Sequence, residues 1–161
     1  MCLYVKGADT STVDSIKNVA KKAIKCYKVV ACNEAFGKFY APMQHVAIEK
    51  SVIDGAVPFE PEIPFDNDLV YSFVYHKERW FEITSGVIHA CREFENAKRE
   101  ADWLSTHSVG DYSSIHIFEC EIPEGATYFD GIWGGERHSY ASDKVVFKRE
   151  IYYTYVQKIE L

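Results

Sequence analysis

Strand-like runs fill the second half of the chain and constrain its fold more than any other feature. The segments 69–76, 80–90 and 114–122 are short and rich in β-branched and aromatic residues. The turn formed by Pro-Glu-Gly at 123–125 ends the third of them, and similar runs follow at 127–131 and from 144 onward. Such residues favour a pleated, half-buried surface, so the sequence predicts a sheet as the main scaffold.

Two segments have the three-and-four spacing of an amphipathic helix. The spacing predicts helices at about 12–25, with Ser11 as the N-cap, and at about 92–104. Between them, 26–32 reads as a buried strand, 38–50 as a strand interrupted at Pro42, and 54–68 as an ordered loop. The predicted fold class is α+β, with two main helices packed on a bent, mainly antiparallel sheet of about seven strands. The side chains expected in its core are Ile16, Ala20, Val29, Val30, Phe94, Leu104, Ile117 and Val146.

Length and composition predict a single globular domain over 1–161. The chain has 161 residues, of which 47% are hydrophobic, so a sizeable core is expected. No apolar run approaches the roughly 18 residues of a membrane span, and the first twelve residues lack the features of a secretory signal. These features predict a cytoplasmic protein that does not bind membranes.

Charge argues against nucleic acid as the partner. The net charge is −6, whereas phosphate binding depends on Lys and Arg. The lysines clustered in 17–28 are interpreted as the solvated face of the first helix.

The cysteines and histidines show no metal-binding or disulfide pattern. The five cysteines, at 2, 26, 32, 91 and 120, include no C-x-x-C pair, and the six histidines include no H-E-x-x-H. We therefore expect free thiols, no metal site and no cofactor. Cys2 would become an N-terminal nucleophile only if Met1 were removed.

Residues 131–143 form the segment whose composition most suggests a binding site. The segment contains Gly134-Gly135 but has neither phosphate-loop nor dinucleotide-binding glycine spacing. One interpretation is a structured connection, and the other is a recognition loop. In the second, Tyr140 and Asp143 would stabilise the loop, and an exposed tip would contact the partner. The tip would consist of Trp133, Arg137 and His138.

The order of several short motifs resembles an uncharacterised family of small proteins from gut Bacteroidales bacteria and their phages. The motifs are MCLY at 1–4, CYKVV at 26–30, EIPEG at 121–125 and SYASD at 139–143. The segment GVIHAC at 86–91 has one residue more than the Gly-x-His spacing of that family. The resemblance implies a gut or phage origin and a compact fold, and it implies no active site.

The order of elements in the second half is also similar to that of ADP-ribosyltransferases. The similarity implies that Asp143 stands near the position of the catalytic Glu, and that Ser85 and His89 flank the nicotinamide site. The chain has no Ser-x-Ser, no Glu opening the strand at 144–147, and no Arg or His in its first strand. These departures favour a degenerate, non-catalytic relative.

Three function classes remain open at this point. The favoured one is a small cytosolic binding or interaction protein of phage or mobile-element type, acting on host components through 131–143. The alternative is an ADP-ribosyltransferase-like enzyme that binds a nucleotide-like ligand, and the third is a particle-associated structural protein. The partner would be a protein or a small nucleotide-like molecule, and a homodimer is compatible with the composition.

Overall fold

The protein folds into a sheet-rich structure with few helical residues. The computed structural model describes residues 3–42, 46–107, 111–133 and 137–157. Three α-helices lie in these parts of the chain: α1 (Val13–Ile16), α2 (Lys50–Ile53) and α3 (Phe94–His107). A 3₁₀ turn covers Asn67–Leu69. The strands are β1 (Leu3–Ala8), β2 (Asn18–Val19), β3 (Ile24–Asn33), β4 (Lys38–Ala41), β5 (Val46–Ile48), β6 (Tyr71–Tyr75), β7 (Glu78–Ile83), β8 (Ile88–Cys91), β9 (Ser114–Ile122), β10 (Thr127–Trp133), β11 (Arg137–Ser142) and β12 (Val146–Tyr155).

Within the described residues, all the strands belong to one antiparallel sheet. Its main path runs β12-β9-β3-β8-β11-β10-β1-β7-β6. Three short strands lie off this path: β2 pairs with β10, β4 with β3, and β5 with β4. The longest ladder joins β3 to β9, from Ile24↔Ile122 to Cys32↔Ser114.

The sheet divides into two branches at one edge of β3, and we call this division the fork. On the edge of β3 that faces away from β9, β8 pairs only at Tyr27, opposite Cys91. On the same edge β4 pairs from Ala31 to Asn33. Residues 28–30 lie between these two partners and, within the described chain, pair with no strand on that side. The two branches therefore diverge next to Lys28.

Three apolar clusters pack against the sheet. One face of β3 carries Val29 and Ala31 and packs against α3 through Ala97, Ala101 and Leu104. The opposite face carries Cys26 and Val30 and packs with residues of β4, β5, α2, β8 and β12. A third cluster lies among β1, β7, β10 and β11.

The predicted fold class is wrong in its balance of helix and strand. Among the described residues, 51% lie in strands and 17% in helices, so the architecture is a curled antiparallel sheet with three helices. It does not have two main helices on a sheet of about seven strands. The helix predicted at 92–104 corresponds to α3.

The first predicted helix is the larger error. Helix α1 ends at Ile16, with Thr12 rather than Ser11 as its N-cap. Ser11 Oγ instead accepts the N–H of Ala8 at 2.9 Å. Beyond α1 the chain turns to sheet bonding: Ala20 N–H donates to Ala126 O at 2.9 Å. The apolar spacing in 17–27 thus belongs to a β connection and to the start of β3, because tertiary pairing overrides helix propensity.

Segment 131–143 is not a loop in its described parts. Residues 131–133 end β10 and residues 137–142 form β11, so the two strands face each other as an antiparallel pair. Gly134 and Gly135 lie outside the described residues. The strand predicted at 80–90 is divided into β7 and β8 by a bend at Thr84–Val87, in which Gly86 has a φ of 74°.

The expected core residues divide into two groups. Ala20, Val29, Val30, Leu104 and Ile117 are buried. Ile16, Phe94 and Val146 are half-buried. The cysteines at 26, 32, 91 and 120 are free, buried thiols, and Cys2 lies outside the described residues.

Candidate ligand cavity

A cavity of about 240 Å³ lies in the fork between β3 and β8. Its walls are largely apolar, with Ala41 and Val46 from the β4–β5 side and Ile88 from β8. Lys28 and His89 are the polar residues that line it from within the sheet, and both are buried. We call it the fork cavity.

Residues 59–65 run across the fork cavity as a strap. At one end, Phe59 exchanges two backbone hydrogen bonds with Val145, of 2.7 and 3.0 Å. At the other end, the Phe65 ring packs against Phe129, with centroids 5.1 Å apart. Glu60, Pro61, Glu62 and Ile63 lie between these two anchors and line the cavity. The mouth of the cavity therefore has two carboxylates, and exposed Thr84 and Ser85 face it from the β7–β8 bend.

Lys28 is a cation buried in this apolar setting. Side chains alternate between the two faces of a strand, so Lys28 shares its face of β3 with Cys26 and Val30. Those neighbours belong to the same cluster as Ala41 and Ile88, and this places the Lys28 side chain on the side of the fork cavity. Burial lowers the pKa of the Lys28 ammonium, because a charge is poorly solvated there.

Glu100 is the main source of compensating charge for Lys28. It is a buried carboxyl on α3, and its charge favours the protonated form of Lys28. Burial raises the pKa of Glu100 itself, and the Cys91 thiol donates to Glu100 Oε2 at 3.6 Å. Among the described residues, no carboxylate oxygen lies within 4.0 Å of Lys28 Nζ, so the two groups attract each other without contact.

A second, much smaller space of about 10 Å³ adjoins this pair. It is lined by Lys28, His89 and Glu100, together with Trp133 and Ser139. Its volume is enough for about one water molecule. Lys28 and His89 line both spaces, and so they connect the apolar fork cavity to the acidic group on α3.

His89 presents a buried acceptor that no described group satisfies. Its Nε2 lies 3.2 Å from Ile83 O, and because a carbonyl can only accept, Nε2 carries the proton. Nδ1 is then an unprotonated acceptor, and it has no hydrogen-bond partner. Burial, reinforced by the charge of Lys28, lowers the pKa of His89 to about 4. The imidazole is therefore neutral at physiological pH.

Two of the residues predicted to bind a ligand line the fork cavity. Ser85 stands at the mouth and His89 lies inside. Trp133 lines only the smaller space. The guanidinium carbon of Arg137 lies 5.5 Å from the centre of the Trp133 ring, and both side chains are half-buried. Of the predicted exposed tip, only His138 is exposed.

Tyr140 and Asp143 lie in the scaffold and are not among the described residues that line either space. The Tyr140 ring is buried and meets Tyr128 edge-on, at a centroid distance of 5.9 Å. Asp143 Oδ1 accepts the N–H of Thr127 at 3.1 Å, and Ser142 Oγ donates to Thr127 O at 3.0 Å. That Tyr140 and Asp143 stabilise this region stays a prediction.

The sequence interpretation missed Lys28 and Glu100. Lys28 was grouped with the solvated lysines of a helix, whereas it is buried in β3. The period-two alternation of this strand could have identified Lys28 as buried, because positions 26, 30 and 32 on the same face hold small apolar side chains. Glu100 carried a similar signal, since it falls on the stripe formed by Ala97, Ala101 and Leu104.

A different cluster has the connectivity of a catalytic triad but not its accessibility. Ser114 Oγ lies 2.7 Å from His116 Nε2, and His116 Nδ1 bonds Glu150 Oε1. Ser114 is 0% exposed, so no substrate can reach its hydroxyl in this conformation. We interpret the three side chains as a structural link between β9 and β12.

Searches of protein-family models, of curated proteins and of solved structures find no match to this chain. Within the described residues, no helix is long and apolar enough to cross a membrane. No group of three or more metal-ligating side chains occurs in the same part of the chain.

Proposed function

We propose that the protein is a small-molecule-binding protein whose ligand occupies the fork cavity. The observation that carries the proposal is a cavity with apolar walls lined by two buried polar residues, Lys28 and His89, of which His89 has an unsatisfied Nδ1. Buried polar groups are normally hydrogen-bonded, and exceptions need an explanation. A ligand that bonds Nδ1 and Lys28 provides one.

The cavity volume and the charges around it indicate the size and the charge of the ligand. Drug-sized ligands occupy roughly 300–1,000 Å³, so a cavity of about 240 Å³ suits a smaller molecule. Glu62 lines the cavity and disfavours an anion, whereas Glu60 pairs with Lys144 at 3.8 Å; the net charge of −6 also disfavours an anion. The ligand is therefore a small uncharged compound with one polar end.

These properties make the nucleotide-binding enzyme the weaker candidate. A dinucleotide carries phosphates and is larger than this cavity. Asp143, the suggested counterpart of a catalytic carboxylate, bonds backbone in the β10–β11 scaffold. The cytoplasmic location and the phage or mobile-element origin remain part of the proposal, supported by the composition and by the order of the short motifs.

Blocking the mouth of the cavity tests the proposal. Uncharged fragment-sized compounds would be screened by ligand-observed NMR against wild type and Ser85→Trp. The exposed position of Ser85 lets the new ring cover the mouth without disturbing the core. We expect fragments that bind wild type to lose about tenfold in affinity, or roughly 1.4 kcal/mol.

The matched control is Ser51→Trp, an exposed position on α2 that does not line the cavity. It should bind the fragments as wild type does. If no fragment binds wild type, or if both variants bind equally well, the cavity is not a ligand site.

A further inference from the structure

Lys28 combines three properties that are seldom found together in a lysine. It is buried, it lies on the side of a cavity, and no described carboxylate is within 4.0 Å of its nitrogen. Structural lysines keep their ammonium in water or in a salt bridge, since desolvating an unpaired charge costs several kcal/mol. The site instead favours the uncharged amine, which is a nucleophile.

His89 supplies a proton acceptor at the same place. Its Nδ1 is unprotonated and unbonded, and His89 is, like Lys28, a residue that lines both spaces. Its Nε2 is fixed by Ile83 O, which holds the ring in one tautomer. A neutral imidazole beside a neutral amine can take up and return a proton during addition to a carbonyl.

We propose that Lys28 captures a small aldehyde or ketone in the fork cavity as an imine. The inference rests on the proposed function, and it specifies the polar end of the ligand as a carbonyl. The apolar walls take the hydrocarbon part, and the acidic mouth favours an uncharged molecule.

The chemical step is a condensation without any redox change. The Nζ lone pair forms a C–N bond to the carbonyl carbon while the C=O π electrons move to oxygen, and His89 Nδ1 relays one nitrogen proton to that oxygen to give a carbinolamine. His89 Nδ1 then accepts the second nitrogen proton and passes it to the hydroxyl as the C–O bond breaks. Water leaves, and a C=N bond remains between Lys28 and the ligand.

Reductive trapping tests the inference. Wild type is incubated with benzaldehyde and sodium cyanoborohydride at pH 7, and the benzylated lysines are located by peptide mass spectrometry. The internal reference is Lys25, an exposed lysine on the same strand whose pKa is raised by its hydrogen bond to Glu119. We expect benzylation at Lys28 to exceed that at Lys25 about tenfold, as the larger fraction of neutral amine predicts.

Two variants assign the roles of the residues. Lys28→Met should lose the dominant adduct while the surface lysines react as before. His89→Gln should slow the formation of the Lys28 adduct, and it should leave labelling of Lys25 unchanged. If Lys28 stays unmodified in wild type while Lys25 is benzylated, the inference is overturned.

A binding measurement with benzyl alcohol distinguishes failure of imine capture from failure of the proposed function. Benzyl alcohol has the shape of benzaldehyde without the carbonyl, and its binding is measured by ligand-observed NMR. Binding of benzyl alcohol without a Lys28 adduct would leave the ligand cavity standing and overturn imine capture. Absence of both would overturn both proposals.

Discussion

At the scale of single residues, the burial of Lys28 and Glu100 is the feature that lowers the stability of this fold. Both ionisable side chains are buried, at 4% and 6% exposure, and burial disfavours the charged form of each. Desolvation of such groups commonly exceeds the attraction between them. Their presence in the core is more easily explained by a function than by stability.

Replacing both groups with uncharged side chains of similar size should therefore stabilise the protein. We expect Lys28→Met/Glu100→Gln to raise the free energy of unfolding by about 1–3 kcal/mol, measured by urea denaturation. The matched control is Lys6→Met/Glu78→Gln, which removes an exposed pair in which Nζ lies 3.1 Å from Oε1. The control should change stability by less than about 1 kcal/mol. A marked loss of stability in the first variant would make the buried pair a structural requirement.

His89 should make the protein sensitive to acid. Its pKa falls from an ordinary 6.5 in the unfolded chain to about 4 in the folded protein. The unfolded state therefore binds more protons between these values, and stability decreases as the pH falls from about 6.5 to about 4. The full effect is on the order of 3 kcal/mol.

The contribution of His89 to the pH dependence of stability must be measured by comparing wild type with a His89 variant. Glu100, whose pKa burial raises, contributes in the opposite direction over part of this range, and the charge of Lys28 acts on both groups. Stability would be measured by urea denaturation from pH 4 to pH 7 in wild type and in His89→Asn. The stability lost on acidification should be smaller in the variant; an equal loss in both proteins would mean that His89 does not titrate as described.

At the scale of elements, the β7–β8 bend holds the strap in place. Gly86 has a φ of 74°, and a Cβ at this position would lie 2.4 Å from the Cα of Phe65. The bend thus carries the backbone of the strap directly against its own backbone. Only glycine permits both the left-handed conformation and this close approach.

Gly86→Ala should destabilise the protein and loosen the strap. We expect a loss of about 3 kcal/mol or more in the free energy of unfolding, from strain and overlap together. Gly37→Ala is the matched control, because Gly37 has a φ of 62° but no atom within 4 Å of the added Cβ. It should cost only about 1–2 kcal/mol. Equal losses in the two variants would show that the contact with Phe65 contributes nothing.

Elements with strong local patterns could be predicted, whereas their partners could not. The alternation in 114–122 and the apolar stripe at 94–104 are local signals, and β9 and α3 follow them. The segment 17–23 also has helical spacing, yet it bonds to residues 125–128, which are distant in sequence. Likewise, Ser85 and His89 were found by analogy, but Lys28 joins them only because β3 and β8 diverge after Tyr27.

At the scale of the whole molecule, one sheet connects the three apolar clusters. Strands β3 and β9 each carry residues of two clusters, and β11 contributes Tyr140 to one cluster and Ala141 to another. If the strands that cover one cluster unfold, the neighbouring cluster is exposed to solvent as well. Thermal unfolding should therefore occur as one cooperative transition, with equal calorimetric and van't Hoff enthalpies. Two resolved transitions would contradict a single domain.

The pairing of β3 with β9 also affects when the chain can fold during its synthesis. Strand β3 is synthesised early, yet its longest ladder needs Ser114–Ile122, and ribosomes add only roughly 5–20 residues per second. For several seconds the nascent chain holds the apolar β3 without its main partner, and chaperones have access to it. Stalled chains should be digested by protease as long as β9 is inside the ribosome, and should resist it fully only when β10, β11 and β12 have also left. The same ladder that joins two cores in the finished protein thus sets the earliest moment at which the growing chain can begin to fold.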